Sequence, residues 1–170
     1  MRFCALTLLA TALLPTCSDG QEVVELRRYD LDSREGLIAV SGVAVDSAVT
    51  AEGTASLRVD AASPIRVLLF ETGDIDVEDA RLIYRARLRT EDLRGNAYLE
   101  MWCVFEELGE YFSRALHAPL SGTTDWTTQE TPFFLEQDQN PDNVRLNLVV
   151  DGSGTVWIDD VRLLSASLRP

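Results

Sequence analysis

From residue 23 onward, apolar side chains recur at every second position, in runs of five to ten residues broken by Gly, Asp, Asn, Ser or Pro. A period of two puts alternate side chains on opposite faces of an extended strand, whereas a helix needs a period near 3.6. The chain therefore reads as all-β, with strands expected over 23–29, 37–45, 56–60, 66–71, 80–90, 97–105, 111–117, 126–135, 144–151 and 155–164. Turn signals fall between them, as at Arg94-Gly95-Asn96 and Asp151-Gly152-Ser153-Gly154. A single flat sheet of that many strands would leave a broad apolar face in water, so two packed antiparallel sheets are expected.

A length of 170 residues with 46% hydrophobic content suits one domain with a core of its own. Charge narrows the partners. Asp and Glu number 28 against 15 basic residues, all Arg, for a formal charge of -13, and such a surface repels phosphate backbones. Nucleic acid is excluded as a natural partner. The single histidine, His117, excludes zinc sites built on several imidazoles.

The N-terminus reads as an export address. Met1-Arg2 starts positive, residues 3–14 form an uncharged apolar run too short to span a bilayer, and Pro15 follows. The chain thus divides into a signal peptide over 1–17, a short tether over 18–22 and a β-domain over 23–170. Leu14-Pro15-Thr16-Cys17 resembles a lipobox, which makes Cys17 the candidate lipidation site and would place the protein at the bacterial cell envelope. Cleavage just after Ser18-Asp19-Gly20, giving a secreted or periplasmic protein, is the competing reading. Contact with a membrane is expected only through a lipid anchor. Cys103 is then the one thiol inside the domain, and its apolar neighbours mark it as a small buried hydrophobe.

Alternation also assigns faces. Leu82, Tyr84, Ala86 and Leu88 share the core side of their strand, opposite Ile83, Arg85, Arg87 and Arg89. Leu99, Met101, Cys103 and Phe105 face inward, opposite Tyr98, Glu100, Trp102 and Val104. Val144, Leu146, Leu148 and Val150 do the same opposite Arg145, Asn147 and Val149. Trp126 and Trp157 occupy positions typical of packing, and burial is expected for both.

The segments Gly122-Thr123-Thr124-Asp125-Trp126, Asn143-Val144-Arg145-Leu146-Asn147-Leu148 and Gly154-Thr155-Val156-Trp157-Ile158-Asp159-Asp160-Val161, with the earlier Gly53-Thr54-Ala55-Ser56-Leu57, resemble the galactose-binding-like jelly-roll superfamily, which includes carbohydrate-binding modules. The resemblance implies a jelly-roll β-sandwich and two kinds of site. One is a structural Ca2+ held by Glu52, Asp30 or Asp32, and Asp160; the alternative is that the acids are solvated or bond loop amides. The other is a glycan groove on the concave sheet, where aromatic rings stack on sugar rings and polar groups bond hydroxyls. Its candidates are Trp102, Tyr98, Glu100, Arg85, Arg87, Arg145, Asn147 and Tyr111. Because Arg and Glu outnumber aromatics, the same face also suits contact with an envelope protein, or cross-strand ion pairs with no ligand.

Catalysis is not expected. No pair among Glu100, Glu106 and Glu107 is singled out for glycoside hydrolysis, and a lyase set of His117, Tyr111, Arg85 and Asn147 would require a histidine at a strand end to reach the sheet face.

Overall fold

The computed structural model describes residues 22–39 and 41–168. The expected signal segment and Cys17 lie outside the described residues. Eight strands follow in order: β1 (Val23–Tyr29), β2 (Val43–Asp46), β3 (Ser56–Ala61), β4 (Ile65–Thr72), β5 (Ala80–Phe105), β6 (Gly109–Arg114), β7 (Leu120–Leu135) and β8 (Asn143–Ser167). All pairings are antiparallel, and no helix is present among the described residues. Of the expected strand 37–45, the described residues form strand only at its end, as β2. Elsewhere pairs of expected strands are fused, because 80–90 joins 97–105 in β5 and 144–151 joins 155–164 in β8.

Fusion makes the ladder continuous rather than split into two separate sheets. Residues 80–91 of β5 pair with residues 155–167 of β8, and residues 94–104 pair with 143–153. Around this central pair, β7 flanks the first half of β5 and β6 flanks its second half. β4 lies on the first half of β8, while β1 and β3 lie on its second half, with β2 beyond β3.

A straight strand of 26 residues would run about 85 Å at roughly 3.3 Å per residue, about twice the diameter of a domain this size. The two long strands therefore have to bend, and they do so together. Between Glu91 and Arg94 the register shifts, and Gly95 sits opposite Gly152. Gly95 has φ +115°, and a Cβ there would collide with the Asp151 carbonyl oxygen; one on Gly152 would collide with the carbonyl of Arg94. The backbones approach more closely than any side chain allows.

The inward side chains of both halves share one hydrophobic cluster. Leu82, Tyr84, Ala86 and Leu88 from the first half of β5 join Leu99, Met101 and Cys103 from the second, together with Leu146, Leu148, Val156 and Ile158 of β8. Side chains from both ends of one ladder can meet only if the sheet curls over them, giving two layers around a single core. Each fully buried Leu, Ile or Val there contributes roughly 1.5–3 kcal/mol. Cys103 lies wholly inside this cluster, where burial pushes its thiol up to about 12. Its chemistry is that of a small apolar group.

The shared bend is expected to be the most substitution-sensitive backbone in the molecule. Gly95→Ala should lower stability by at least about 2 kcal/mol in urea unfolding. Gly122→Ala, at φ +72° but with open space around it, should cost only about 1 kcal/mol for the left-handed backbone. Equal losses would show that the close approach is not limiting.

Candidate functional site

On the second half of β5 the non-core face carries a grid whose rows are set by strand register. Glu100 lies opposite Arg114 of β6 on one side and Asn147 of β8 on the other, with Leu68 of β4 beyond Asn147. The next row runs Glu71, Arg145, Trp102, Phe112 across β4, β8, β5 and β6. Tyr98 and Arg66 flank Val149 in the row before. Together Arg66, Leu68, Glu71, Trp102, Glu110, Arg145 and Asn147 line an open groove of about 400 Å³.

Glu100 organises this surface from beneath. Its carboxylate is 0% exposed although it sits on the outer face. Oε1 accepts from Trp102 Nε1 at 2.8 Å, Arg66 Nε at 2.8 Å and Asn147 Nδ2 at 3.3 Å, and Oε2 accepts from Arg114 Nε at 2.6 Å. A buried carboxylate this heavily bonded is a fixed post rather than a free acid. Bonding at the indole N–H locks the orientation of the Trp102 ring. Phe112 supports it from β6, with ring centroids 5.0 Å apart, and is itself 50% exposed beneath the Arg114 guanidinium.

Arg145 is held differently. Its Nε donates to Glu71 at 3.1 Å and its terminal nitrogen to Glu110 at 3.2 Å, from strands on opposite sides, and all three side chains remain partly open to water. Three guanidiniums, of Arg66, Arg114 and Arg145, thus balance the carboxylates of Glu100, Glu71 and Glu110. The groove is locally neutral in a strongly acidic chain, and offers donors and acceptors side by side.

Of the residues grouped here by alternation, Trp102, Glu100, Arg145 and Asn147 are brought together, with Tyr98 at the margin beside a recess formed with Pro64 and Arg66. Arg85 and Arg87 are not. They belong to the first half of β5, beyond the bend, where Arg85 pairs with Glu130 of β7 and Arg87 donates to the Ala51 carbonyl at 3.2 Å. Tyr111 is also separate. It pairs with the inward Cys103, meets Phe105 edge-on at 6.1 Å and donates its hydroxyl to the Leu108 carbonyl. The lyase set is accordingly scattered, with His117 exposed on a loop. Phe112, Arg66, Glu71 and Glu110 complete the groove without a sequence signal of their own, because only cross-strand register brings them to Trp102. Trp126 is only partly buried, and Trp157 is buried on an outer face, between the guanidiniums of Arg58 and Arg89, with its N–H on Asp46.

A second group gathers where β1, the loop before β3 and the second half of β8 meet. Asp30, Asp32, Glu52, Asp159 and Asp160 surround a cavity of about 200 Å³ that Arg28 also lines. Asp159 and Asp32 are engaged with backbone. Asp159 accepts the amides of Ala51, Glu52 and Asp160, and burial pushes its carboxyl upward against the pull of those bonds. Asp32 accepts from Thr54 and Ala55, which hold its carboxyl below the usual range. The three acids named for calcium, Asp30, Glu52 and Asp160, all lie on Arg28, at 2.6, 3.1 and 3.7 Å. A guanidinium thus lies against all three.

No protein-family model matches the sequence, and no curated protein matches it. Solved structures do. The CBM22-1 xylan-binding domain from Paenibacillus barcinonensis Xyn10C is similar over 89% of this chain and 99% of its own, with a TM-score of 0.60 at 13% identity. The CBM22-1 and GH10 modules of Clostridium thermocellum Xyn10B, complexed with xylohexaose, are similar over 84% of this chain and 28% of that one, with a TM-score of 0.63 at 13% identity. A family 16 carbohydrate-binding module is similar over 72% of this chain and 84% of its own, with a TM-score of 0.53 at 14% identity. The fold is the jelly roll of carbohydrate-binding modules, as the sequence resemblance implies.

Glu100→Gln keeps the shape of the post but removes its charge and leaves one of its donors unmatched. A loss of about 2 kcal/mol in urea unfolding is expected, together with a change in Trp102 fluorescence. Unaltered stability and emission would show that the ring is positioned by packing alone.

Proposed function

We propose that this protein is a non-catalytic carbohydrate-binding module that holds a polysaccharide on the Trp102 face of the sheet. The observation that carries the reading is the indole of Trp102, fixed by a buried carboxylate, backed by Phe112 and left partly open along a groove. A sugar ring has an apolar face that suits stacking on such a platform, and hydroxyls that bond in the ring plane. Arg66, Arg145 and Asn147 supply donors to those hydroxyls, and Glu71 and Glu110 supply acceptors. A volume of about 400 Å³ lies within the ordinary range of ligand sites, and the open shape suits a chain that continues past the site. The CBM22 domains that share the fold are described as xylan-binding or as complexed with xylohexaose, which makes a neutral β-linked polysaccharide the first ligand class to test.

The groove binds without turning over its ligand. Glu100 spends both carboxylate oxygens on Trp102, Arg66, Asn147 and Arg114, which is the work of a positioning group. Export through residues 1–17, with Cys17 as a lipid anchor, completes the proposal by placing the module where extracellular polysaccharide is met.

Affinity electrophoresis and calorimetry on soluble xylan, mixed-linkage glucan and galactan test the reading. Retardation is expected on at least one of them. Trp102→Ala should weaken binding at least about tenfold and Phe112→Ala a few-fold, while circular dichroism stays that of the parent. Silence on all three, together with co-purification of an envelope protein lost in the same variants, would overturn it in favour of a protein-contact face.

A further inference from the structure

We propose that Arg28, seconded by Arg162, serves as the built-in cation of the acidic corner, filling with the chain's own guanidinium the position that a structural metal ion would otherwise take. Arg28 stands on β1 and reaches Asp30 at the end of its own strand, Glu52 in the loop before β3 and Asp160 in β8. Those are three segments far apart in sequence. Arg162 stands beside it on β8, with Nε on Asp160 at 2.8 Å and its terminal nitrogens toward Glu25 and Glu52 at 3.3 and 3.6 Å. Arg28 and Arg162 are cross-strand partners, so register alone sets two fixed charges side by side. Both guanidiniums stay protonated at any ordinary pH, unlike a His in their place.

The division of labour among the acids supports this. Asp159 and Asp32 spend their oxygens on the amides of residues 51, 52, 54, 55 and 160, which shapes the loop. That shaping delivers Glu52 to the corner, and Gly53 at φ +62° lets the turn pass within contact of Asp32, where a side chain would collide with its carboxylate. The left-handed backbone at Asp160, φ +49°, turns its carboxylate out to meet both arginines. Without the guanidinium of Arg28, the carboxylates of Asp30, Glu52 and Asp160 would face one another around the cavity with only Arg162 to offset them. Repulsion would open the corner, or a divalent cation would enter it.

Melting of the protein with millimolar CaCl2 and with EDTA tests the assignment. The parent should melt at the same temperature in both, and show no heat of calcium binding in calorimetry. Arg28→Gln should melt lower by a few degrees, roughly 3 °C, in EDTA, and calcium should restore at least half of that loss. Arg28→Lys should keep most of the parent's stability in EDTA. Should Arg28→Gln not fold, Arg162→Gln is carried through the same series with the same expectations. A calcium-dependent rise in the parent's melting temperature overturns the proposal, because the site would then be a metal site as it stands. So does a glutamine variant that melts like the parent, or one that melts lower and ignores calcium.

Discussion

The pairing of β5 with β8 is the constraint on which the rest of this structure depends. The two strands run beside each other through both layers, and every other strand but β2 is hydrogen-bonded to one or both of them. Because the same ladder supplies inward side chains to both halves of the core, the bend at Gly95 and Gly152 fixes how the layers face each other. It also fixes the groove. Trp102 comes from β5 and Arg145 from β8, opposite each other in register, and their neighbours on β4 and β6 are placed by pairing to those strands. A slip of one residue would send Trp102 into the core and Cys103 to the surface.

The charge pattern has a similar logic. In a chain with 28 acids and only Arg as the basic side chain, the guanidiniums are not scattered solubilising charges. Arg66 and Arg114 converge on buried Glu100, Arg145 bridges Glu71 and Glu110, and Arg28 and Arg162 bind together the acidic corner. A planar group with several fixed donors can bond carboxylates from different strands at once, which an ammonium group does less well. Surplus acid is left to face water. Exposed pairs of this kind add little stability singly, so their value here lies in orientation: they hold side chains at the groove and the corner in defined positions.

The all-β class, the inward side chains of β5 and β8 and the outward turn of Trp102 were legible as simple alternation, because a half-buried strand leaves a period of two in its composition. Alternation fails across the bend. It groups Arg85 and Arg87 with Trp102, although the strand between them changes register and carries the two arginines to the other half of the ladder. It also cannot show which strands are neighbours. Phe112 and Glu110 belong to a short edge strand, and Arg66 and Glu71 to one more than seventy residues away from Arg145 at its nearest approach, so nothing local marks them as parts of one surface. Tyr111 fails for a related reason, since the register of β6 sets it opposite Cys103 rather than Trp102.

Glu100 shows where the division falls. Its place on the outer face follows from its being one residue from Leu99 and Met101, and any chain with that alternation would put it there. That it is wholly buried, and serves as a post for Trp102, Arg66, Arg114 and Asn147, follows from donors that arrive on three other strands. The same holds at the corner, where the sequence supplies several acids and the fold seats an arginine among them. Composition and periodicity determine which side of a strand a residue occupies, because that is a property of one extended backbone. What a side chain meets there is decided by pairing and curvature, which are properties of the whole sheet.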